Sequence, residues 1–589
     1  MVLSTIDWII IILFFVASLG VGLFNSKRAG KTPNEFFLSG RSMPWWLLGV
    51  SMVATTFSAD TPNLVTDIVR KNGVSGNWVW WAFLLTGMLT VFTYAKLWRR
   101  SGVVTDLEFY ELRYGGKSAA FLRGFRALYL GVFFNIVIMA SVSLAAIKIG
   151  GVMMGLTPIE TLSIATIVTV TYSSLGGLRS VIITDFFQFL IAMIGSVAAT
   201  IYILNLPEVG GLTNLLAAPS VGMKLSFLPD FSDTSTLIPL LVLPLAIQWW
   251  SVWYPGSEPG GGGYIAQRLL SAKDEKNALT ASLIYNIAHY ALRPWPWILI
   301  ALASILVFPT LDSLHAAFPN LPLDKINDDL AYPAMLTFLP AGLLGIIIAS
   351  LIAAYMSTIS THLNWGSSYV VNDFYKRFVK SGASDKELVN VGRLSTIVLA
   401  ILSALLALLL SNALQAFNIL LQIGAGTGLI FILRWFWWRI NTYTEITGMV
   451  VSFFVALYFE TLHNRFFPVL EDHWKLLFGV AITTVCWIVA TLLTQPERNE
   501  VLVNFYNKVK PASVGWRPVL LANPELKEEK GQLPFELMLM VVGSFTVYSS
   551  LFCIGYWIYG NALAAFISGI IALSGMYILF RNWGKLKFF

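Results

Sequence analysis

Charge is scarce along this chain. Only 12% of its 589 residues are Asp, Glu, Lys or Arg, about half the share usual in soluble globular proteins, so an extensive solvated surface is excluded. Cysteine is almost missing: Cys486 and Cys553 both fall inside apolar runs, and such a pair supports neither a disulfide framework nor a thiolate metal centre. Histidine is nearly as rare. His289 and His362, the two inside apolar runs, have no companion carboxylate at an obvious spacing, which leaves acid–base catalysis little to work with. The chain is therefore read as no enzyme, with a membrane-embedded transferase as the remote alternative. A Walker-type glycine–lysine loop is also lacking, which removes ATP as a power source.

What is abundant is hydrocarbon. The chain is 56% hydrophobic, with 40 Phe and 21 Trp, and apolar runs of about 20 residues are the length that crosses a bilayer as a helix. Such runs lie near 7–24, 45–69, 76–98, 125–149, 157–174, 180–204, 235–255, 277–308, 338–371, 391–410, 414–436, 443–459, 474–494, 535–557 and 562–582. The first lacks a basic leader and a small-residue cleavage site, so it is read as a retained helix. Fifteen spans predict an all-α polytopic membrane protein whose termini lie on opposite sides. Basic residues agree, because they cluster in every second loop: Lys27 to Arg41, Arg99 to Arg126, Arg179, Arg268 to Lys276, Lys376 to Lys386, Arg434 to Arg439, Lys508 to Lys530, and Arg581 to Lys587. The positive-inside rule then predicts a plasma (inner) membrane protein with its N-terminus outside and its C-terminus in the cytoplasm. The net charge of +7 is thus assigned to topology, with a lipid bilayer and a small-molecule solute as partners and no nucleic acid.

Two spans carry residues that break helices. The second contains Ala54-Thr55-Thr56-Phe57-Ser58-Ala59-Asp60-Thr61-Pro62, and the seventh ends in Tyr254-Pro255-Gly256-Ser257-Glu258-Pro259 followed by four glycines. Proline removes a donor and disfavours helix at the residue before it, and unpaired backbone is tolerated in lipid only around a cavity or an ion. With the first helix set aside, the breaks fall at the first and sixth of ten core helices. That is the pattern of an inverted repeat with a midplane site, unless the prolines and glycines serve only as kinks and packing residues. The ninth span adds four hydroxyls in five residues, Ser357-Thr358-Ile359-Ser360-Thr361. Helical spacing puts Ser357, Ser360 and Thr361 on one face with Thr358 at its edge, so two adjacent cation positions sharing Ser357 are predicted. Neutral oxygen donors suit an alkali cation better than zinc or calcium, although Ser and Thr also bond back to their own helix.

Three segments carry a resemblance: Ala353-Ala354-Tyr355-Met356-Ser357-Thr358-Ile359-Ser360, Tyr172-Ser173-Ser174-Leu175-Gly176-Gly177-Leu178-Arg179-Ser180-Val181 leading to Thr184-Asp185 and Gln188, and Tyr264-Ile265-Ala266-Gln267-Arg268. With these segments in the family's order along the chain, across about residues 7–494, the chain resembles the sodium:solute symporter family of sodium/glucose, sodium/proline and sialic acid transporters. The resemblance implies a LeuT-like 5+5 inverted-repeat core with one N-terminal and four C-terminal additional helices. The divisions expected are 1–44, an extra helix and loop; 45–204 and 205–436, the two repeats; 437–494, two further helices; 495–534, a cytoplasmic loop; and 535–589, the last two helices. By position it assigns a sodium ion to the carbonyls of Ala54, Phe57 and Ala354 and the hydroxyls of Ser357 and Thr358. A possible second sodium falls to Asp185, Ser357, Ser360 and Thr361, with an Asp185–Arg179 pairing as the competing role for the carboxylate.

For a solute, the first break offers Thr56, Asp60 and Thr61. The resemblance adds Gln422, matched to a glutamine that contacts sugar hydroxyls, and Tyr264, matched to an inner-gate aromatic. The asparagine that usually precedes that tyrosine is glycine here. Arg293, near a midplane, is expected to face a solute or to pair internally with Asp60 or Glu258. The tryptophans Trp78, Trp80 and Trp81 either stack on a sugar or anchor at the interface. The expectation is a sodium-coupled symporter, importing a sugar first, with a sugar acid, another carboxylate or an amino acid as alternatives. A passive channel or a sensor is the other rival; the 495–534 loop is too short for an output domain.

Overall fold

Hydrocarbon offers backbone amides no water, so each apolar run closes its hydrogen bonds internally. The computed structural model describes residues 3–29, 32–56, 58–251, 260–319, 326–410, 424, 426–528 and 532–586. Sixteen helices organise them: α1 (Thr5–Ala29), α2 (Trp45–Thr55), α3 (Thr61–Asn72), α4 (Val74–Ser101), α5 (Gly116–Met154), α6 (Pro158–Thr171), α7 (Gly177–Leu204), α8 (Thr234–Ala246), α9 (Gly263–Ser271), α10 (Glu275–Val307), α11 (Leu343–Val379), α12 (Asp385–Leu409), α13 (Thr442–Phe466), α14 (Asp472–Leu493), α15 (Leu533–Ile558) and α16 (Ala562–Trp583). Ten of these are long and apolar enough to cross a membrane, while α2, α6, α8 and the first part of α1 are shorter apolar helices at the second, fifth, seventh and first expected spans. The first part of the eleventh expected span (414–436), residues 414–423, lies outside the described residues, as does residue 425.

The fifth and sixth expected spans are joined without a loop. The turn is made by Gly177, at φ 58° and ψ −165°, a region closed to most side chains. A Cβ there would also meet the Phe36 carbonyl oxygen at 2.7 Å. Helix α6 begins at a capping box, in which the Thr157 hydroxyl accepts the Glu160 amide and the Glu160 carboxylate accepts the Thr157 amide, satisfying donors that a helix start leaves open.

Helix α2 lies against α7, α10 and α11, which places its broken end at the centre of the bundle. One end of the bundle gathers basic loops. Arg41 donates to the carbonyls of Gly102 and Val103, Arg99 to that of Ala272, and Arg100 pairs with Glu275 at 3.1 Å. In a neighbouring cluster Arg123 joins Glu108, Glu111 and Asp373. Burial opposes ionisation of Glu111, but Arg377 and Arg123 outweigh it and hold this carboxyl below its usual range.

Two peripheral elements are bound more tightly than their positions suggest. Asp7, fully buried in the first turn of α1, accepts the Ser4 hydroxyl at 2.6 Å and the amides of Gly342 and Gly345 at 2.7 Å each, so it caps the start of α11. Asp7→Ala is expected to cost about 1–3 kcal/mol by leaving buried donors unmet. Thermal unfolding of the purified protein measures this, and a stability equal to wild type refutes it. The other element is α15, which packs on α4 and α10. Glu536 pairs with Lys96, the Tyr548 hydroxyl donates to the Trp81 carbonyl at 2.9 Å, and Gly555 lets the rings of Trp295 and Phe227 approach.

Candidate functional site

The site forms where α2 ends early. The Thr56 amide still reaches the Met52 carbonyl at 3.2 Å, but helix resumes only at Thr61, with Pro62 in its first turn. Asp60, half-buried, occupies the position before α3 and makes no side-chain cap there. Thr61 instead receives the Ser58 amide on its hydroxyl at 3.3 Å. Helix ends leave carbonyls short of regular partners, and those of Val53, Thr55 and Thr56 receive donors from two other helices.

From α11, the Thr358 hydroxyl donates to the Thr55 carbonyl at 3.1 Å, and Thr55 and Thr361 share a hydroxyl contact of 3.1 Å. Ser357, Thr358, Ser360 and Thr361 are all fully buried, and Ala54 and Ala354 nearly so. The hydroxyl-rich segment and the end of α2 are therefore in direct contact. Phe57 lies outside the described residues. Ser360 turns back along its helix, its hydroxyl donating to the Ser357 carbonyl at 3.1 Å.

Asp185, from α7, is fully buried beside them. It accepts the hydroxyls of Ser357 at 2.6 Å and of Ser51. Its ionic partner is Arg268, from α9, 3.6 Å away; the pairing with Arg179, the competing role, is not the one formed. The Arg268 guanidinium also donates to Thr361 at 2.8 Å, Thr55 at 3.2 Å and Ser51 at 3.2 Å. It is fully buried. Asp185, Ser357 and Thr361, three of the four residues expected around a second sodium, gather here with the Arg268 guanidinium among them.

Arg293 makes the other set of contacts. Its Nη1 donates to the Val53 carbonyl at 2.8 Å and its Nη2 to the Thr56 carbonyl at 2.9 Å. Carbonyls take the place of the expected carboxylate Asp60, and Glu258 lies outside the described residues. The Thr56 hydroxyl bonds back to Met52 and Val53 and lies 3.3 Å from His289 Nδ1. His289 in turn sits among Trp80, Tyr285 and Tyr290, with ring centres 4.5–5.7 Å away. Trp78 and Trp81 are buried, with the Trp78 indole donating to the Phe227 carbonyl, so neither acts as an interfacial anchor.

Of the second break, residues 254–259 lie outside the described residues, and the glycines that follow are held by α4 and the loop after it. Gly260 and Gly261 have φ of 90° and 80°, the Gly260 carbonyl accepts the Trp98 indole at 2.7 Å, and the Gly263 amide donates to Asp106 at 2.8 Å. This fixes the start of α9, and with it Tyr264, buried against His362 with ring centres 5.9 Å apart. Between α4, α9 and α10 lies a cavity of about 40 Å³ lined by Thr86, Thr90, Ser282, Tyr285, Asn286 and Gly261, among others. That is room for a few waters and not for a hexose. Gln422 lies outside the described residues.

Sequence reasoning missed Ser51, Arg268 and His289. Ser51 and Thr55 stand four residues apart on one helix face, as do Tyr264 and Arg268, and that spacing was the available signal.

Comparison with known proteins gives a family and a fold. The model of the sodium:solute symporter family matches residues 36–452. The chain is 26% identical over 486 residues to a sodium/glucose cotransporter of Vibrio parahaemolyticus, covering 78% of this chain and 86% of that one. It is 28% identical over 475 residues to the sodium/sialic acid symporter SiaT of Proteus mirabilis, covering 77% and 89%. Among solved structures, a substrate-bound outward-open Na+-coupled sialic acid symporter superposes with a TM-score of 0.68 at 24% identity, covering 84% of this chain and 99% of that one. That likeness shows the fold, a LeuT-like helical core.

Proposed function

Since the chain belongs to the sodium:solute symporter family, and is thus a multi-pass membrane protein that moves a small solute with sodium, we propose that its sodium site is the junction of α2 and α11 and that its solute is a sugar. The carrying observation is the contact between Thr358 and the broken end of α2, 3.1 Å from hydroxyl to carbonyl. Sodium there is held by the carbonyls of Ala54, Phe57 and Ala354 and the hydroxyls of Ser357 and Thr358. Neutral oxygens of this kind match a hard monovalent ion.

The solute lies beside the first break, near Thr56, Asp60, Thr61 and Gln422, with His289 and its ring of aromatics as a wall. The gathering of basic loops at one end of the bundle supports a cytoplasmic face there, and with it an outside N-terminus and a cytoplasmic C-terminus in the plasma (inner) membrane. Tyr264, packed on that side of the second break, closes the way inward. Sodium fixes the loose turn of α2 against α11, the solute completes the pocket, and loss of the ion toward the cytoplasm releases Tyr264 and α9. Each sodium entering down 100 mV yields about 2.3 kcal/mol, and a tenfold concentration ratio adds about 1.4 kcal/mol. One ion thus sustains a neutral solute gradient of several hundredfold, about 10^2.7.

A thermal-shift panel tests the reading. Sugars, uronates, amino acids and monocarboxylates are compared in sodium and in potassium, and a sugar is expected to stabilise the protein only in sodium, by about 2.7 kcal/mol at a hundred times its Kd. Equal stabilisation in potassium overturns sodium coupling at this site. Stabilisation by a uronate or an amino acid alone overturns the sugar.

A further inference from the structure

Arg293 occupies an unusual place for an arginine. It is 1% exposed, deep in a long apolar helix, where a cation is costly unless something specific receives it. Local structure aims it: the α10 backbone forms a π-turn over Ala288–Leu292, the Arg293 amide donates to the Ala288 carbonyl five residues back, and Pro294 follows. One extra residue in a turn rotates the next side chain out of the regular helical register, a device common at functional sites.

The receiving groups are the Val53 and Thr56 carbonyls, at 2.8 and 2.9 Å. They lie at the C-terminal end of α2, where carbonyls lack some of their regular helical partners and carry the negative end of the helix dipole; the Val53 carbonyl also accepts the Thr56 hydroxyl. The guanidinium fork spans both carbonyls at once, a fixed geometry that a lysine cannot reproduce. Its plane is backed by Trp297, 5.0 Å from the ring centre. Between those two residues, the Thr55 carbonyl points elsewhere and receives Thr358 of α11. The last turn of α2 is therefore strung between two helices, gripped at 53 and 56 from α10 and at 55 from α11. Ala54 and Phe57 each follow one of the residues gripped by the arginine.

We propose that Arg293 is a positioning residue for sodium: it presets the last turn of α2 so that neighbouring carbonyls face the ion, and it does not bind the solute. This rests on the sodium site assigned above. It departs from the expectation that this arginine recognises a solute carboxylate. By fixing the turn before the ion arrives, Arg293 removes part of the ordering cost from sodium binding, so its loss falls on sodium affinity.

The test is uptake into proteoliposomes by Arg293→Gln and Arg293→Lys, with Thr358→Ala in parallel. Arg293→Gln is expected to raise half-saturating sodium about tenfold, while the solute KM at saturating sodium stays within about twofold. Arg293→Lys, with a point charge able to reach one carbonyl, falls between. The relative uptake of a sugar and its uronate stays unchanged. The proposal is overturned if Arg293→Gln raises the solute KM at saturating sodium, or selectively removes uronate uptake, with the sodium dependence intact. If Arg293→Gln does not yield folded protein, Arg293→Lys makes the same separation between sodium and solute. Thr358→Ala distinguishes the two readings: if it leaves sodium half-saturation unchanged, the sodium site itself is misplaced, whereas a shift for Thr358→Ala with none for Arg293→Gln refutes only the role of the arginine.

Discussion

Alanine at both Ser357 and Thr358 abolishes sodium-driven accumulation of solute while folded protein is still obtained. At about 1.4 kcal/mol per hydroxyl ligand, the pair is worth about a hundredfold in sodium affinity, enough to carry half-saturation beyond ordinary sodium concentrations. The two single variants separate two contributions. Thr358→Ala removes the hydroxyl that reaches the Thr55 carbonyl, whereas Ser357→Ala also withdraws a donor from Asp185. The former is expected to shift sodium dependence with little change in stability, and the latter to lower both. Uptake into proteoliposomes over a sodium titration, with thermal unfolding of the same preparations, measures the two effects. A double variant with wild-type sodium half-saturation removes these hydroxyls from the site.

Asp185→Ala is expected to be the most destabilising of the single substitutions considered. It leaves the Arg268 guanidinium, fully buried, with the hydroxyls of Thr361, Thr55 and Ser51 but without its carboxylate, and stranding one partner of a buried ion pair typically costs about 3–5 kcal/mol. Replacing both residues, as Asp185→Leu with Arg268→Met, removes two desolvated charges together and should recover most of that loss. Thermal unfolding of Asp185→Leu, Arg268→Met and the double closes the cycle. A double variant no more stable than Asp185→Ala would show that the pair is not the main interaction of either group. The same double variant keeps Thr358 and the end of α2, so it is expected to bind sodium there even if transport slows.

Some of this was legible in the letters. The hydroxyl run stands out because a helix in hydrocarbon has little other use for four hydroxyls in five residues, and the breaks stand out because proline and glycine act through local chemistry. Arg293 was legible as a midplane cation, but its partners were not: carbonyls are common to every residue and leave no mark in a sequence. Arg268 was hidden for a different reason. A basic residue close to a loop reads as an interfacial charge, and only the short helix α9, folded inward against α2 and α11, carries it into the core. The continuous passage from α6 to α7 through Gly177 was equally silent, since a tight kink and a short loop draw on the same residues.

The match to the family ends at residue 452, yet α15 is built into the faces of α4 and α10. A chain shortened to the matched region would expose Trp78, Phe227 and Trp295 to acyl chains and leave Lys96, one turn from Arg99 and Arg100, without its counter-ion. Those aromatic faces would tolerate lipid, and the ammonium would have to turn toward the interface. The C-terminal pair is thus less an ornament than a retaining wall.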